Sequence, residues 1–233
     1  MVDVRASSLV LLALAAAACS SSSPSSGGSA AASTPVLLGK PEQGVATYYA
    51  ADGSGNCGFD PSPGDLDVAA MNAAEYDGSA VCGECVAITG PKGNLAVRIV
   101  DQCPECETGH LDLSQQAFAQ IADVAAGRVP ITWEVVACDV TGDVAYHFKD
   151  GSSQYWTAIQ VRNARLPVTK LEWQENGSWV DVPRTTYNYF VAASGTGAGA
   201  FQVRVTAADG QTLVDSLPAP QSNVTVSGAG QFR

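Results

Sequence analysis

Two acidic side chains in the middle of the chain are the first candidates for a chemical site. Asp112 lies between Leu111 and Leu113, at the start of a predicted helix. Partial burial at such an apolar strand end would raise the pKa of its carboxyl group and make it a proton donor. The structural alternative is a carboxylate that accepts hydrogen bonds from free N–H groups of the helix start. Asp101 offers a second carboxylate, or a turn residue before Pro104, or both.

A histidine and several aromatic residues extend the set of candidates. His110 would share a strand face with Asp112, because alternate residues of a strand point the same way; an ordinary surface histidine is the simpler expectation. Tyr155 and Trp156 are adjacent, so both rings can be exposed only where a strand is irregular or just beginning. The residues 151–153 before them permit this. The other tryptophans lie within strand patterns and are predicted to be structural: Trp133, Trp173 and Trp179.

Cysteine spacing allows either a metal site or disulfides. Seven cysteines are present, and six remain when Cys19 is set aside: Cys57, Cys82, Cys85, Cys103, Cys106 and Cys138. Four of these form two CxxC pairs, a spacing that suits structural zinc. Six cysteines in an exported chain favour disulfides instead, because export leads to an oxidising compartment. We therefore predict no metal, although spacing alone does not choose among the possible pairings.

The N-terminal residues predict export rather than part of a folded domain. Arg5 precedes a short apolar run, a pattern that predicts a signal peptide over residues 1–18. The run ends at Cys19 and resembles a bacterial lipobox, in which the cysteine is lipidated after cleavage. Plain secretion is the alternative, since Ala16 stands where leucine is commonest. Residues 19–38, rich in Ser, Gly and Ala, are predicted to form a flexible tether.

Charge divides the rest of the chain into two parts. The formal net charge is −11. Residues 40–140 contain 4 basic and 15 acidic residues, whereas residues 141–233 contain 7 of each. Because the cysteines also stop at Cys138, we predict one domain over residues 39–140 and a second over residues 141–233. The acidic balance excludes a nucleic-acid binder, which needs a basic surface, and a membrane contact is predicted only through a lipid on Cys19.

The elements that must position these residues are mainly β-strands. In the first domain, short segments with strand-like patterns are separated by turns; they cover residues 45–49, 68–72, 85–89, 96–100 and 131–137. One helix is predicted to begin after Ser114, a good N-cap, and to close at Gly127. The second domain is predicted to be an antiparallel sandwich without helices. Its six strands cover residues 156–162, 168–173, 179–182, 189–192, 201–206 and 211–216.

A series of motifs along the chain resembles one family. They include Gly44-Val-Ala-Thr47-Tyr48-Tyr49, Gly55-Asn-Cys57-Gly58-Phe59, Val100-Asp101-Gln-Cys-Pro104, Gly109-His110-Leu111-Asp112-Leu113-Ser114, Gln154-Tyr155-Trp156, Tyr187-Asn188-Tyr189-Phe190-Val191 and Gly195-Thr-Gly197. In this order and spacing, over residues 40–233, they resemble the microbial expansins (expansin-like proteins). The resemblance implies a mainly β fold: a six-stranded double-psi β-barrel, then an immunoglobulin-like antiparallel β-sandwich that acts as a carbohydrate-binding domain.

The resemblance also implies a function and the residues that perform it. Such proteins bind cellulose and other wall polysaccharides and loosen plant-type cell walls by weakening non-covalent glucan contacts, without hydrolysis and without a cofactor. Thr47, Asp101 and Asp112 carry over as groove residues, with Asp112 as the essential acid. The groove tyrosine of the family falls on Cys103, so that contact is missing here. The binding platform carries over to Tyr155, Trp156 and Tyr187, with Lys149 beside them.

Cysteine-bearing, plant-type members of the family imply the disulfides as well. By that likeness Cys57 pairs with Cys82, Cys85 with Cys138, and Cys103 with Cys106. The last pair closes a tight loop where the groove tyrosine of the family would stand. The protein is expected to be a monomer, secreted or held at the cell surface by a lipid on Cys19.

A hydrolase is the alternative class. Family-45 endoglucanases share the barrel and use two aspartates, and inverting hydrolysis places the acid and the base ~6.5–9.5 Å apart. Asp112 matches the acid, but Ala51 stands at the position of the base. Asp52 is adjacent, and a one-residue shift in the loop beside Gly53 would bring it into the groove. A pure carbohydrate-binding module leaves the groove unexplained, and lytic transglycosylases share the barrel but lack the second domain.

Overall fold

A computed structural model describes Met1 and residues 37–233. The predicted signal peptide, Cys19 and nearly all of the predicted tether lie outside these residues. From residue 37 onward, the chain belongs to one compact unit. Within this part, no helix combines the length and the apolar character needed to cross a bilayer.

Six strands in the first half of this unit close into a barrel. They are β1 (Glu42–Tyr49), β2 (Val68–Asn72), β3 (Cys85–Thr89), β4 (Asn94–Cys103), β5 (His110–Ser114) and β6 (Val129–Val136). Their order around the barrel is β1-β5-β2-β4-β3-β6. β1 runs parallel to β5 and β2 runs parallel to β4, whereas the remaining neighbours are antiparallel. Two such parallel pairs in a closed six-stranded barrel confirm the double-psi arrangement.

The barrel interior is filled by alternate residues of its strands, as expected for strands with one buried face. The interior set includes Ala46, Ala69, Met71, Val97, Ile99, Leu111 and Leu113. Trp133 on β6 is also buried, and its indole N–H donates to the Gly109 carbonyl oxygen over 3.1 Å. The neighbours of the interior residues along β1, β2, β4 and β5 therefore point out of the barrel, which matters for the site.

Two short helices accompany the barrel, and one differs from its prediction. They are α1 (Ala73–Tyr76) and α2 (Gln115–Ile121). Ser114 caps α2 as predicted, because its Oγ accepts from the N–H of Ala117 over 2.9 Å. The predicted end at Gly127 is wrong. The Ile121 carbonyl accepts from the Lys92 N–H over 2.9 Å, and Gly127 closes a separate 3-10 turn.

Two antiparallel four-stranded sheets form the second half. One contains β10-β9-β12-β13 and the other β11-β8-β7-β14. The bounds are β7 (Ala145–Phe148), β8 (Thr157–Arg162), β9 (Val168–Glu175), β10 (Ser178–Asp181), β11 (Phe190–Ala192), β12 (Phe201–Ala207), β13 (Thr212–Leu217) and β14 (Val224–Ser227). The prediction of six strands is wrong, since β7 and β14 were missed. In β7 three consecutive residues are buried, so it shows no alternation between apolar and polar positions.

All six cysteines of the described part are joined in disulfides. The pairs are Cys57–Cys82, Cys85–Cys138 and Cys103–Cys106. They are the pairs that the family resemblance implies. Because each of these sulfurs is bonded to another, none is available as a zinc ligand, and the zinc alternative is excluded for them.

Candidate functional site

A row of outward-facing residues crosses four neighbouring strands of the barrel. In the strand register, Thr47 on β1 is opposite Asp112 on β5, and Asp112 is opposite Ala70 on β2. Ala70 is in turn opposite Asp101 on β4. The small side chain of Ala70 thus separates the two carboxylates, which leaves room for a shallow groove between them. The structure therefore brings together the three groove residues expected from the resemblance.

A hydrogen-bonded chain holds Asp112 in place. The hydroxyl of Thr47 donates to Oδ1 of Asp112, and its oxygen lies 2.8 Å from Nε2 of His110. Since the proton of Thr47 is directed to Asp112, its oxygen accepts, and the network assigns the ring proton of His110 to Nε2. His110 is only 7% exposed. The expectation of a surface histidine is therefore wrong, because this side chain supports Thr47 from the same strand face as Asp112.

Burial controls the protonation of both titrating groups in this chain. The pKa of Asp112 is raised, mainly by burial, and the hydrogen bond from Thr47 only partly offsets this. Burial, and then the charge of Arg128, lower the pKa of His110, so its ring is neutral at pH 7. A carboxyl group with a raised pKa beside a neutral imidazole is suited to hydrogen-bond with uncharged hydroxyl groups.

Asp101 is fixed by the backbone rather than by other side chains. Its Oδ1 accepts from the N–H groups of Asn56 at 2.6 Å and Gln102 at 2.8 Å. Close approach of the chain makes this possible, because a Cβ on Gly55 would lie only 2.4 Å from the Cβ of Asp101. Asp101 lies within β4, before the turn at Pro104, so the alternative of a turn residue is wrong. The strand register places it in the row with Ala70 and Asp112.

Tyr49 is a groove residue that the sequence analysis did not select. It follows Thr47 by two residues on β1 and so shares its outward face. Its hydroxyl oxygen is buried and has no hydrogen-bond partner among the described residues. Burial, followed by the charges of Asp101, Asp112 and Asp52, raises its pKa. The period-two spacing from Thr47 is the signal that could have identified it.

The loop closed by the Cys103–Cys106 disulfide forms one side of the groove. Beside Thr47, His110 and Asp112 lies a cavity of about 300 Å³. This loop supplies both cysteines, Glu105 and Glu107 to its lining, and the remaining residue is Arg128. The disulfide thus takes the place of the tyrosine side chain that the family resemblance leads one to expect.

Asp52, the base of the hydrolase alternative, forms its hydrogen bonds within its own turn. It is exposed, and its Oδ1 accepts from the backbone N–H of Ser54 at 2.9 Å and from its hydroxyl at 2.6 Å. The hydroxyl of Ser54, more than its N–H, lowers the pKa of Asp52. A carboxylate engaged in this way is a weak base, because its charged form is already stabilised.

Two aromatic rings of the sandwich are exposed at the surface. Tyr155 is 75% exposed and Tyr187 is 38% exposed, whereas Trp156 is half-buried. β8 begins only at Thr157, so Tyr155 and Trp156 lie in the turn before it. In this turn the Ser153 N–H donates to the Trp156 carbonyl over 2.8 Å. The expected irregularity before the strand is present, and it frees both rings from strict alternation.

The remaining platform residues, Tyr187 and Lys149, both lie near the ring of Tyr189. The ring of Tyr187 lies 6.0 Å from that of Tyr189, and Lys149 places its Nζ 5.5 Å from the Tyr189 centroid. Beside the turn, a Cβ on Gly195 would lie 2.0 Å from the Gln154 carbonyl oxygen. Only glycine fits so close to that backbone, which explains the first glycine of the Gly195-Thr-Gly197 motif.

Asn56 connects the barrel groove to the platform. Its backbone N–H holds Asp101, while its side-chain Nδ2 donates to the Tyr76 hydroxyl at 2.9 Å and to the Thr186 carbonyl at 3.1 Å. Thr186 directly precedes Tyr187 of the platform. One residue therefore contacts both the groove carboxylate and the loop that carries an exposed ring.

Two surfaces on one compact unit, an acidic barrel groove and an aromatic face on a neutral sandwich, define a polysaccharide-binding protein. Among the described residues, no cluster of three or more His, Cys, Asp or Glu side chains is arranged to hold a metal. A family model described as lytic transglycolase matches residues 68–133, within the barrel alone.

Comparison with whole chains extends the likeness to both domains. The chain is 38% identical over 200 residues to Expansin-YoaJ of Bacillus subtilis (strain 168), covering 82% of this chain and 86% of that protein. Expansin-like protein 1 of Dictyostelium discoideum is 31% identical, covering 80% of this chain and 70% of that protein. The crystal structure of a mutant Clavibacter michiganensis expansin in complex with cellohexaose superimposes with a TM-score of 0.76 and 34% identity, covering 83% of this chain and 98% of that one. The chain belongs to the expansin family.

Proposed function

We propose that this protein binds cellulose through its sandwich and loosens plant-type cell walls through its barrel groove, without hydrolysing glucan. The observation that carries the proposal is the row of Thr47, Asp112 and Asp101, tied through Asn56 to the loop of Tyr187. The cellohexaose complex of the related Clavibacter michiganensis expansin supports a glucan as ligand.

Cellulose recognition is assigned to Tyr155, Trp156 and Tyr187, with Lys149 beside them. Crystalline cellulose presents flat, uncharged faces of C–H bonds, and exposed aromatic rings cover such faces without directional bonds. Each fully covered ring would contribute ~1.5–3 kcal/mol by buried area. The equal numbers of basic and acidic residues in the sandwich suit an uncharged polymer.

Loosening is assigned to Thr47, Asp101 and Asp112. In our proposal these side chains grip a neighbouring glucan chain by hydrogen bonds to its hydroxyl groups and so compete with contacts between chains. A hydrogen bond to a charged group is worth ~1.5–3 kcal/mol, which is enough to favour a displaced glucan. No covalent step and no cofactor are required.

Hydrolysis by an endoglucanase mechanism has less support. It requires a free base beside the acid Asp112, and Asp52 is engaged by Ser54 in its own turn. Incubation with amorphous cellulose and with xylan, with reducing ends measured alongside pull-down, tests this directly. We expect binding without new reducing ends. Release of soluble sugars that is lost in both Asp112→Asn and Asp52→Asn would establish the hydrolase instead.

We further propose that residues 1–18 direct export, that residues 19–38 act as a tether, and that a lipid on Cys19 anchors a monomer at the cell surface. The apolar run, the small residues before Cys19 and the Ser-rich segment after it support this. Cys19→Ser should release the protein from membranes into the medium. Wild-type protein that is already soluble outside the cell would contradict the anchor.

A further inference from the structure

A second cavity lies between the barrel and the sandwich and shares no residue with the groove. It measures about 490 Å³, a size typical of small-ligand sites. Both domains line it, and the residues that matter here are Phe59, Asp65, Asp67, Arg98, Arg162 and Asn163. We refer to this cavity as the interdomain cleft.

Arg98 is the residue that most directly indicates a ligand site. Its neighbours Val97 and Ile99 face the barrel core, so Arg98 points outward into the cleft. The carbon of its guanidinium lies 5.1 Å from the centre of the Phe59 ring. Burial lowers the pKa of Arg98, and the charge of Asp65 partly offsets this. Among the described residues, its guanidinium donates no hydrogen bond. Its donors are therefore free to bind oxygen atoms of a molecule in the cleft.

The charges around Arg98 indicate the class of that molecule. Asp65, Asp67 and Asp139 also line the cleft, and the second arginine, Arg162, is paired with Asp60 at 2.6 Å. Carboxylates therefore outnumber uncompensated cations, which disfavours an anionic ligand. They accept hydrogen bonds from hydroxyl groups, whereas Arg98 donates to ring and hydroxyl oxygens. An uncharged sugar satisfies both requirements.

We propose that the interdomain cleft binds a short segment of a neutral wall glucan, separate from the glucan on the platform. The choice of glucan rests on the proposed function, since a protein that works between polysaccharide chains meets this ligand first. With one segment on the platform and another in the cleft, a single molecule holds two neighbouring chains at once. That arrangement gives wall loosening a point of attachment in addition to the platform and the groove.

The test uses the chain with the glucan contacts of its platform and groove weakened. In ¹⁵N-labelled Trp156→Ala/Tyr187→Ala/Asp112→Asn protein, cellotriose should still shift the signals of Arg98, Ala96 and Asn163 in a saturable titration. Adding Arg98→Gln should weaken this binding at least tenfold. Arg165→Gln is the matched control, because Arg165 belongs to the loop at the cleft but does not line it.

A second variant separates loss of binding from loss of folding. Ala96 is exposed and lines the cleft, so Ala96→Gln fills the cavity while Arg98 is retained. Both variants should keep the wild-type melting temperature within a few degrees and should both lose the cellotriose shifts. Cellotriose that leaves the cleft signals unchanged, or trigalacturonic acid that binds there in its place, overturns the proposal. Cellulose pull-down by the protein with an intact platform reports the proposed function separately, so failure of one does not imply failure of the other.

Discussion

In our proposal the barrel and the sandwich both bind carbohydrate, but with different chemistry. The barrel segment 40–140 carries all of the net negative charge of the chain and places carboxylates in a row with hydrogen-bonded support. The sandwich segment 141–233 is neutral and offers aromatic rings with little polar support. Polar groups of fixed geometry suit a site that must hold one glucan in a strained position. Aromatic faces suit a flat surface where register along the polymer is unimportant.

Removal of the platform rings is expected to have the largest effect. Trp156→Ala with Tyr187→Ala removes two rings, each worth ~1.5–3 kcal/mol when covered, so crystalline-cellulose affinity should fall at least a hundredfold. Pull-down measures this, and circular dichroism checks that the fold persists. Trp179→Ala is the control, since Trp179 lies on the outer face of the other sheet, against Arg204. Unchanged binding by the double variant would mean that the barrel carries cellulose affinity.

Asp112→Asn tests the role of the barrel groove. Asparagine keeps the shape of aspartate and most of its hydrogen-bonding capacity, so only charge and proton donation are lost. Wall loosening in a creep or paper-weakening assay should fall about tenfold to a hundredfold, from the ~1.5–3 kcal/mol of a hydrogen bond to a charged group. Cellulose pull-down should not change. A parallel loss of pull-down would show that groove and platform are not functionally separate.

Glu84 and Arg184 test how the two domains are joined. Arg184 of the sandwich donates to the barrel carbonyl of Ala80 over 3.2 Å. Burial raises the pKa of Glu84 to about 7 and lowers that of Arg184 to about 10, despite their mutual attraction. The folded state holds the Glu84 proton more tightly than the unfolded chain does. The contribution of Glu84 to the free energy of unfolding is therefore complete below pH 4.5 and is lost as the pH rises through about 7.

Glu84→Gln should remove this pH dependence. Glutamine mimics the protonated acid, so the variant should be more stable than wild type at pH 8 by roughly 1–3 kcal/mol and equal to it at pH 4. Urea unfolding at both pH values measures the difference. Glu175→Gln, at an exposed position, serves as the control. A variant that is less stable at pH 8 would show that the attraction between the Glu84 and Arg184 charges outweighs the cost of burying them.

Asn56→Ala should have the smallest effect, and it tests the connection between the groove and the platform. The variant keeps the backbone N–H that holds Asp101 but loses the side-chain bonds to Tyr76 and Thr186, worth about 1 kcal/mol each. Cellohexaose affinity should fall a few-fold by calorimetry, whereas Asn94→Ala, at an exposed strand start, should bind as wild type. Equal affinities in both variants would mean that groove and platform act independently.

The sequence by itself determined the pieces with strong local signals. Short apolar segments between turns predicted β2 and β3 to the residue, and Ser114 marked the start of α2, because these patterns reflect burial and capping within a few residues. The contrast in charge and the position of the last cysteine predicted a boundary after residue 140, a position that lies between β6 and β7. The order of motifs was sufficient to indicate the family, and with it the groove residues.

Only the tertiary structure decided which residues meet across the chain. The support of Thr47 by His110 and the contact of Asn56 with Thr186 join residues 63 and 130 positions apart. Such contacts leave no periodic trace in the sequence, because they depend on which strands become neighbours. The exposure of Trp156 was likewise undecided until the start of β8 was known. A strand that begins one residue later frees a ring that regular alternation could have buried.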